Sequence, residues 1–320
     1  MVLIMVPFFT SLFIINNFFL LVDHLLFSRF KKLNIKEPVF IVSMPRTGTT
    51  MLLHLLTSLK NEYTTMKLWE LIFAPSITQK IIIVNFFKID FRINSIIKKA
   101  VILISDKIFK NLGSLHNTGL EQPEEDELVL LWNLSSLYLQ YFYLESNIFD
   151  QLLNFDSDLN TKKQNRIMIK YFRHVQRHNY VFNREGNKKF LSKNPFMMSK
   201  VRSLYSHFND AKVLTINRCP NLVINSTVNL SELLFSTFSS VKFKDELKVK
   251  IESVIKEWYF HSHEIFNSNE NINHLYLDFE KLIKKDETHY KNLFEFLGLD
   301  AKYISHILNK NNQKYKAKPK

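Results

Sequence analysis

A chain of 320 residues, 46% of them hydrophobic, is long enough to bury a sizeable core in one or two domains. Its 43 basic against 30 acidic residues give a formal net charge of +13, which favours anionic partners: a nucleotide, an acidic membrane surface or a polyanion. The single cysteine, Cys219, excludes an intramolecular disulfide and suits a reducing compartment, and no Cys/His cluster has metal-ligand spacing, so no metal is expected.

Met1 to Val22 carries no charged residue, and Asp23 ends the run. The stretch is long enough to cross a bilayer. Pro7, Asn16, Asn17 and the early Asp23 equally suit a helix lying in the interface, and a hydrophobic helix packed on the following domain is the third reading. No basic residue precedes the apolar core and no small-residue cleavage site follows it, so a signal peptide fits poorly. Arg29, Lys31 and Lys32 come next and, by the positive-inside tendency, place the downstream domain in the cytoplasm.

Val39 to Val42 reads as a short buried strand, Ser43 to Thr50 as a tight loop, and Met51 to Leu59 as a helix. That order aims backbone N–H groups and a positive helix end at an anion. Gly48 lets the backbone curl closely around an oxyanion, Thr47, Thr49 and Thr50 offer hydroxyls, and Arg46 adds a fixed charge. In the frame of a Walker A loop, Ser43 replaces the first glycine and Thr49 the lysine, which disfavours an ATPase or kinase.

Residues 67–112 interleave Ile and Phe with Lys, a pattern either of a membrane-facing lid or of core-facing helices with solvated lysines. Glu121 to Glu127 is the one dense acidic run, and the apolar Leu128 to Trp132 follow it. Its plain reading is a helix start, opened by Pro123, whose first turn complements the helix dipole. His174 and His178 stand at i, i+4 in a basic helical stretch and read as a solvated face. Phe190 to Pro195 is a strand end and turn; Val201, Leu204, Tyr205 and Phe208 mark an amphipathic helix; Lys212 to Ile216 is another strand, ending at Asn217-Arg218-Cys219-Pro220. Asn225-Ser226-Thr227 is formally a glycosylation triplet, read here as one that never meets the glycosylation machinery. The basic residues Lys310 to Lys320 form a tail suited to anionic lipid.

Pro45-Arg46-Thr47-Gly48-Thr49-Thr50 resembles the 5′-phosphosulfate loop of the sulfotransferases that use 3′-phosphoadenosine-5′-phosphosulfate (PAPS). Phe190-Leu191-Ser192-Lys193-Asn194-Pro195 is similar to the family's L-K-x-P segment. Arg218, with Ser226 eight positions later, is similar to the family's pair that holds the 3′-phosphate; the family usually has Asp after this Arg, and Cys219 stands there, removing one group that would orient Arg218. His274 to Leu282 and Leu293 to Leu299 resemble its closing strand and helix. The resemblance spans residues 39 to 299 and is thinnest over 75–115.

It implies an α/β fold, a P-loop-like three-layer sandwich with a central parallel sheet, behind an N-terminal hydrophobic helix. The organisation expected is a membrane-anchor or interfacial helix over 1–30, a catalytic domain over 36–305 and a basic tail over 306–320. The activity implied is transfer of a sulfuryl group from PAPS to an acceptor hydroxyl on a carbohydrate, lipid or small alcohol or phenol. Arg46, Thr47, Gly48, Thr49, Thr50, Arg218 and Ser226 are the cofactor residues so implied. Partners expected are PAPS, the acceptor and a membrane, not a nucleic acid. Relatives carry a P-x-E-D-E segment where the acidic run stands, which makes Glu125 the first candidate for the general base and Glu127 the second, with His116 as an alternative base or orienting partner. Lys193 is either a cation beside the sulfuryl oxygens or an exposed turn lysine. Two other readings compete: a nucleotide or nucleoside kinase, and a catalytically inactive protein of the same fold that binds a membrane or polyanion.

Overall fold

The structure, a computed structural model, describes residues 2–59, 61–92, 94–109, 119–141, 161–238, 243, 245–268 and 272–309. Among the described residues, five strands form its centre: β1 (Val39–Ile41), β2 (Tyr63–Thr64), β3 (Lys189–Lys193), β4 (Lys212–Asn217) and β5 (His274–Asp278). They lie in the order β2-β3-β1-β4-β5, and every pairing is parallel. Val39 aligns with Leu191 on one side and with Lys212 on the other.

The helices, in chain order, are α1 (Val2–Leu26), α2 (Thr49–Thr57), α3 (Leu68–Phe73), α4 (Ile77–Arg92), α5 (Ile96–Phe109) and α6 (Thr161–Phe182). Then come α7 (Val201–His207), α8 (Pro220–Phe238), α9 (Asp245–Ser268), α10 (Phe279–Lys284), α11 (Glu287–Leu297) and α12 (Lys302–Asn309).

Strand alternation divides the core into two layers. Phe40, Val42, Phe190 and Val213 face α6, α7 and α9, where Met168, Tyr171, Val175, Leu204 and Trp258 meet them. Val39, Ile41, Leu191, Leu214, Ile216 and Leu277 face the other way, onto Leu52 and Leu56 of α2 and Leu293, Phe294 and Leu297 of α11. A parallel sheet covered on both faces needs strands that are apolar throughout, which is why β1 reads as an unbroken hydrophobic run. The α/β sandwich with a central parallel sheet and an apolar N-terminal helix is therefore present.

Two expectations need correction. His174 and His178 are buried, not solvated. They share the inner face of α6 with Tyr171 and Val175. His174 Nε2 lies 3.0 Å from Asn133 Oδ1, and His178 sits between Glu70 Oε2 and Thr64 Oγ1, each at 2.8 Å. Burial is tolerable because each ring finds a partner. The acidic run also does not open a helix at Pro123. That segment is extended, bridged to Lys67, with Leu68 N donating to Gln122 O at 3.0 Å. A 3-10 helix begins only at Asp126 and runs to Asn133.

Candidate active site

The loop after β1 is stitched to β4. Ser43 Oγ donates to Ile216 O and accepts from Ile216 N, both at 2.9 Å, while Thr215 Oγ1 donates to Val42 O at 3.0 Å. Thr47 is buried, its hydroxyl turned inward to donate to Met44 O at 2.7 Å, so that hydroxyl serves the loop itself. The chain enters the left-handed region at Arg46 (φ 66°) and at Gly48 (φ 95°). Glycine is required at 48 on two counts. Left-handed backbone disfavours a side chain, and a Cβ there would come within 2.8 Å of the Phe279 ring. Gly48 stands at the N-cap of α2 with no side-chain cap, which leaves the first N–H groups of that helix without one.

Two arginines converge beside this loop. Arg46 Nε donates to Ser226 Oγ on α8 at 2.9 Å, and Arg218 Nη1 donates to the carbonyl of Arg46 at 2.6 Å. The Arg218 guanidinium lies over the Phe279 ring, 4.4 Å from its centroid. Burial, and after it the charge of Arg218, hold Arg46 below the usual arginine value. Among the described residues no carboxylate pairs with either guanidinium, and Arg218 Nε is buried without a hydrogen-bond partner. Like charges brought together and partly dehydrated raise the free energy of the unliganded site, and an anion placed between them would lower it.

Lys193, the last residue of β3, is fully buried rather than an exposed turn lysine. Its three ammonium donors have three partners: Thr50 Oγ1 at 3.1 Å, Glu124 Oε1 at 3.3 Å and Glu125 Oε1 at 3.0 Å. Burial alone would lower its pKa, but the charges of Glu125 and Glu124 outweigh burial and hold it above the ordinary lysine value. Glu125 Oε2 also accepts from the Tyr138 hydroxyl.

The neighbouring acids do other work. Glu127 is completely buried and accepts from Leu137 N at 2.8 Å and Asn194 Nδ2 at 3.1 Å. Asp126 Oδ2 accepts from the Tyr171 hydroxyl at 2.7 Å while Oδ1 has no partner, and burial pushes this carboxyl up to about 7.

Arg46, Gly48, Arg218 and Ser226 thus meet at one end of the sheet, and Thr50, Lys193 and Glu125 form a connected chain beside them. Thr49 is buried at the first turn of α2. His116 lies outside the described residues. Phe279, Tyr138, Glu124 and Asp126 were not singled out from the sequence. Phe279 was within reach of a simple rule: in open parallel sheets, ligands bind beyond the carboxyl ends of the strands, and Phe279 directly follows β5. For Tyr138 no local pattern gives a signal. Among the described residues, no group of three or more His, Cys, Asp or Glu could hold a metal ion.

Comparison with known proteins bears on the fold and the family. In structure the chain is similar to the sulfotransferase STF1 of Mycobacterium tuberculosis, with a TM-score of 0.68 at 17% identity over 96% of this chain and 80% of that one. It is also similar to the sulfotransferase STF9 of Mycobacterium avium, with a TM-score of 0.66 at 15% identity over 91% of this chain and 71% of that one. At such identities the likeness speaks for the fold. No curated protein matches the chain by sequence. The profile described as "Sulfotransferase family" matches residues 38–303, most of the chain, and the protein belongs to that family.

Proposed function

We propose that the protein transfers a sulfuryl group from PAPS to an acceptor hydroxyl on a carbohydrate, lipid or small alcohol or phenol. The observation that carries this reading is the pair Arg46 and Arg218, tied together with no carboxylate partner among the described residues, at the uncapped start of α2. In this reading the 5′-phosphosulfate is held by the N–H groups of Gly48, Thr49 and Thr50 with the Thr50 hydroxyl. Arg218, Ser226 and Arg46 hold the 3′-phosphate, the two guanidiniums supplying the charge-assisted contacts. Thr47 serves the loop's shape.

Lys193 and Glu125 would carry the chemistry. In the free protein they neutralise each other. A phosphosulfate at Thr50 competes for the lysine, since Thr50 already accepts one of its hydrogen bonds. As Lys193 turns toward the transferring group and the leaving phosphate, Glu125 is released to take the acceptor's proton. The acceptor O–S bond forms, the S–O bond to the phosphate breaks, and the proton ends on Glu125. Tyr138 positions that carboxylate.

The same reading places the catalytic domain (36–305) at the cytoplasmic side of a membrane, with residues 1–30 as its attachment. The basic tail over 306–320 adds to that attachment, its residues from 310 onward lying outside the described set. Label transfer tests the enzyme assignment. Incubated with radiolabelled PAPS and a lipid-and-metabolite extract, the protein should label an acceptor, and Glu125→Gln should not. Binding of the nucleotide with no transfer to any fraction would favour the non-catalytic reading instead.

A further inference from the structure

The helices on one side of the molecule carry their polarity inside out. On α1 polar residues face the domain, beside the buried Leu20. Asn16 donates to Ile72 O at 3.0 Å and accepts from Gln79 Nε2 at 2.7 Å, and Asn17 donates to Trp132 O at 3.0 Å. Asp23 is fully buried, accepting from Ile77 N (2.8 Å), Thr78 N (3.0 Å) and Arg177 Nε (3.0 Å). On the opposite face Ile14, Phe18, Leu21 and Leu25, at i, i+4, i+7 and i+11, are 62%, 59%, 62% and 78% exposed.

Helix α4, packed against α1, repeats the arrangement. After the buried Ile77, the polar Gln79, Lys80 and Asp90 are buried, while Ile82, Phe86 and Ile89, again at i, i+4 and i+7, are exposed. Asp90 accepts from Ile97 N at 2.9 Å and Lys98 N at 2.8 Å, fastening α5, which displays Leu103 and Ile104. A helix on the surface of a water-soluble domain does the opposite, turning its apolar stripe to the core and its polar face to solvent. Aligned apolar stripes on adjacent helices mark a surface that meets something apolar.

We infer that α1, α4 and α5 together seat the protein in one leaflet of a bilayer, with α1 lying in the membrane plane instead of crossing it. The inference rests on the membrane association proposed above and adds its mode. The segment Val6–Leu26 is long and apolar enough to span. Spanning, however, would strip Asn16, Asn17 and Asp23 from their partners and leave Arg177 buried without its carboxylate. In-plane seating keeps every one of these bonds.

Charge selects lipid over a second copy of the chain. Arg29, Lys31 and Lys32 follow α1, and Lys88, Arg92 and Lys99 lie along α4 and α5, all exposed. Both acids with described side chains on α1, α4 and α5, Asp23 and Asp90, are buried. Two such basic faces would repel each other, whereas anionic headgroups attract them.

The test uses the purified full chain with vesicles of phosphatidylcholine alone and with one third phosphatidylglycerol. Binding should be stronger to the anionic vesicles and should fall with added salt. The double change Phe18→Glu with Phe86→Glu, at exposed positions, should leave the melting temperature in place and weaken vesicle binding by about tenfold or more. Depth distinguishes the modes. Fluorophores on single cysteines at Ile14, Leu25 and Phe86, in a Cys219→Ser background, should all be quenched from the same shallow depth by spin-labelled lipids. A deep Ile14 with a shallow Leu25 would mean a spanning helix and overturn the in-plane mode while leaving membrane association standing. No vesicle binding by the unaltered protein would overturn both, and binding indifferent to the Phe18 and Phe86 changes would overturn the three-helix surface.

Discussion

Arg218 donates a 2.6 Å hydrogen bond to the carbonyl of Arg46, so the residue that follows β4 is fastened to the loop that follows β1. The two elements proposed to bind the nucleotide's anions are one physical unit, and their substitutions should not be independent. Arg46→Ala and Arg218→Ala should each weaken binding of 3′-phosphoadenosine-5′-phosphate by about 1.5–3 kcal/mol, the worth of a hydrogen bond to a charged group. The double variant should lose less than the sum, because each single change already disturbs the other arginine. Calorimetric titration of the four proteins checks this, and strict additivity would mean two separate sites.

Gly48 is held by both its backbone and its neighbour. Gly48→Ala should lower the melting temperature and weaken nucleotide binding, since its Cβ would meet Phe279 Cε2 at 2.8 Å. Adding Phe279→Leu should recover only part of the loss. The left-handed backbone at φ 95° still costs about 1–2 kcal/mol with any side chain present. Full recovery would locate the whole effect in the clash.

Asp126 should give stability a pH dependence of unusual sign. Its carboxyl is raised by burial from 3.8 to about 7 in the folded protein. Below the unfolded value both states are protonated and the group contributes nothing. Between the unfolded and folded values the unfolded chain ionises first, so this group's contribution falls as pH rises, by roughly 1.4 kcal/mol per unit, and levels off above the folded value. Asp126→Asn keeps an acceptor for the Tyr171 hydroxyl and cannot ionise. Melting temperatures across pH 4 to 8 should therefore decline less steeply for the variant, with the largest gain at the alkaline end; parallel curves would remove Asp126 from the account.

Glu125 and Glu127 separate the proposed chemical role from a structural one. Glu125→Gln should leave nucleotide binding in place and reduce turnover by about 10²–10⁴, the usual worth of a general base. Glu127→Gln should act on stability instead, because one of its two accepting oxygens becomes an N–H group facing a donor, at a cost of about 1–3 kcal/mol. Turnover at saturating substrates together with melting temperature distinguishes them, and the reverse pattern would exchange their roles.

The parts of this site that could be read in the sequence are those built by contiguous chain. A short apolar strand, a loop of Arg, Gly and Thr, and a following helix point to an anion site within one contiguous stretch, and Arg218 with Ser226 points to the second through family likeness. The parts that could not be read depend on distant partners. Lys193 looks like a turn lysine until β3 carries it beneath Glu124 and Glu125. His178 looks solvated until α6 sets it against Glu70, 108 residues away in sequence. Phe279 is reachable as the residue that follows a strand, and only its place beside Arg218 depends on β5 lying next to β4. The first helix hid its mode of seating in the same way, since Asn16 and Asp23 weaken a spanning reading without naming what they bond.

The central claim, that Arg46 and Arg218 form a site for a 3′-phosphorylated adenine nucleotide, is tested most directly by affinity. Calorimetric titration with 3′-phosphoadenosine-5′-phosphate, with the analogue lacking the 3′-phosphate, and with ATP compares the three on one protein. The account expects the first to bind at least about tenfold more tightly than either of the others, a difference of about 1.4 kcal/mol or more. Equal affinity for all three would contradict it.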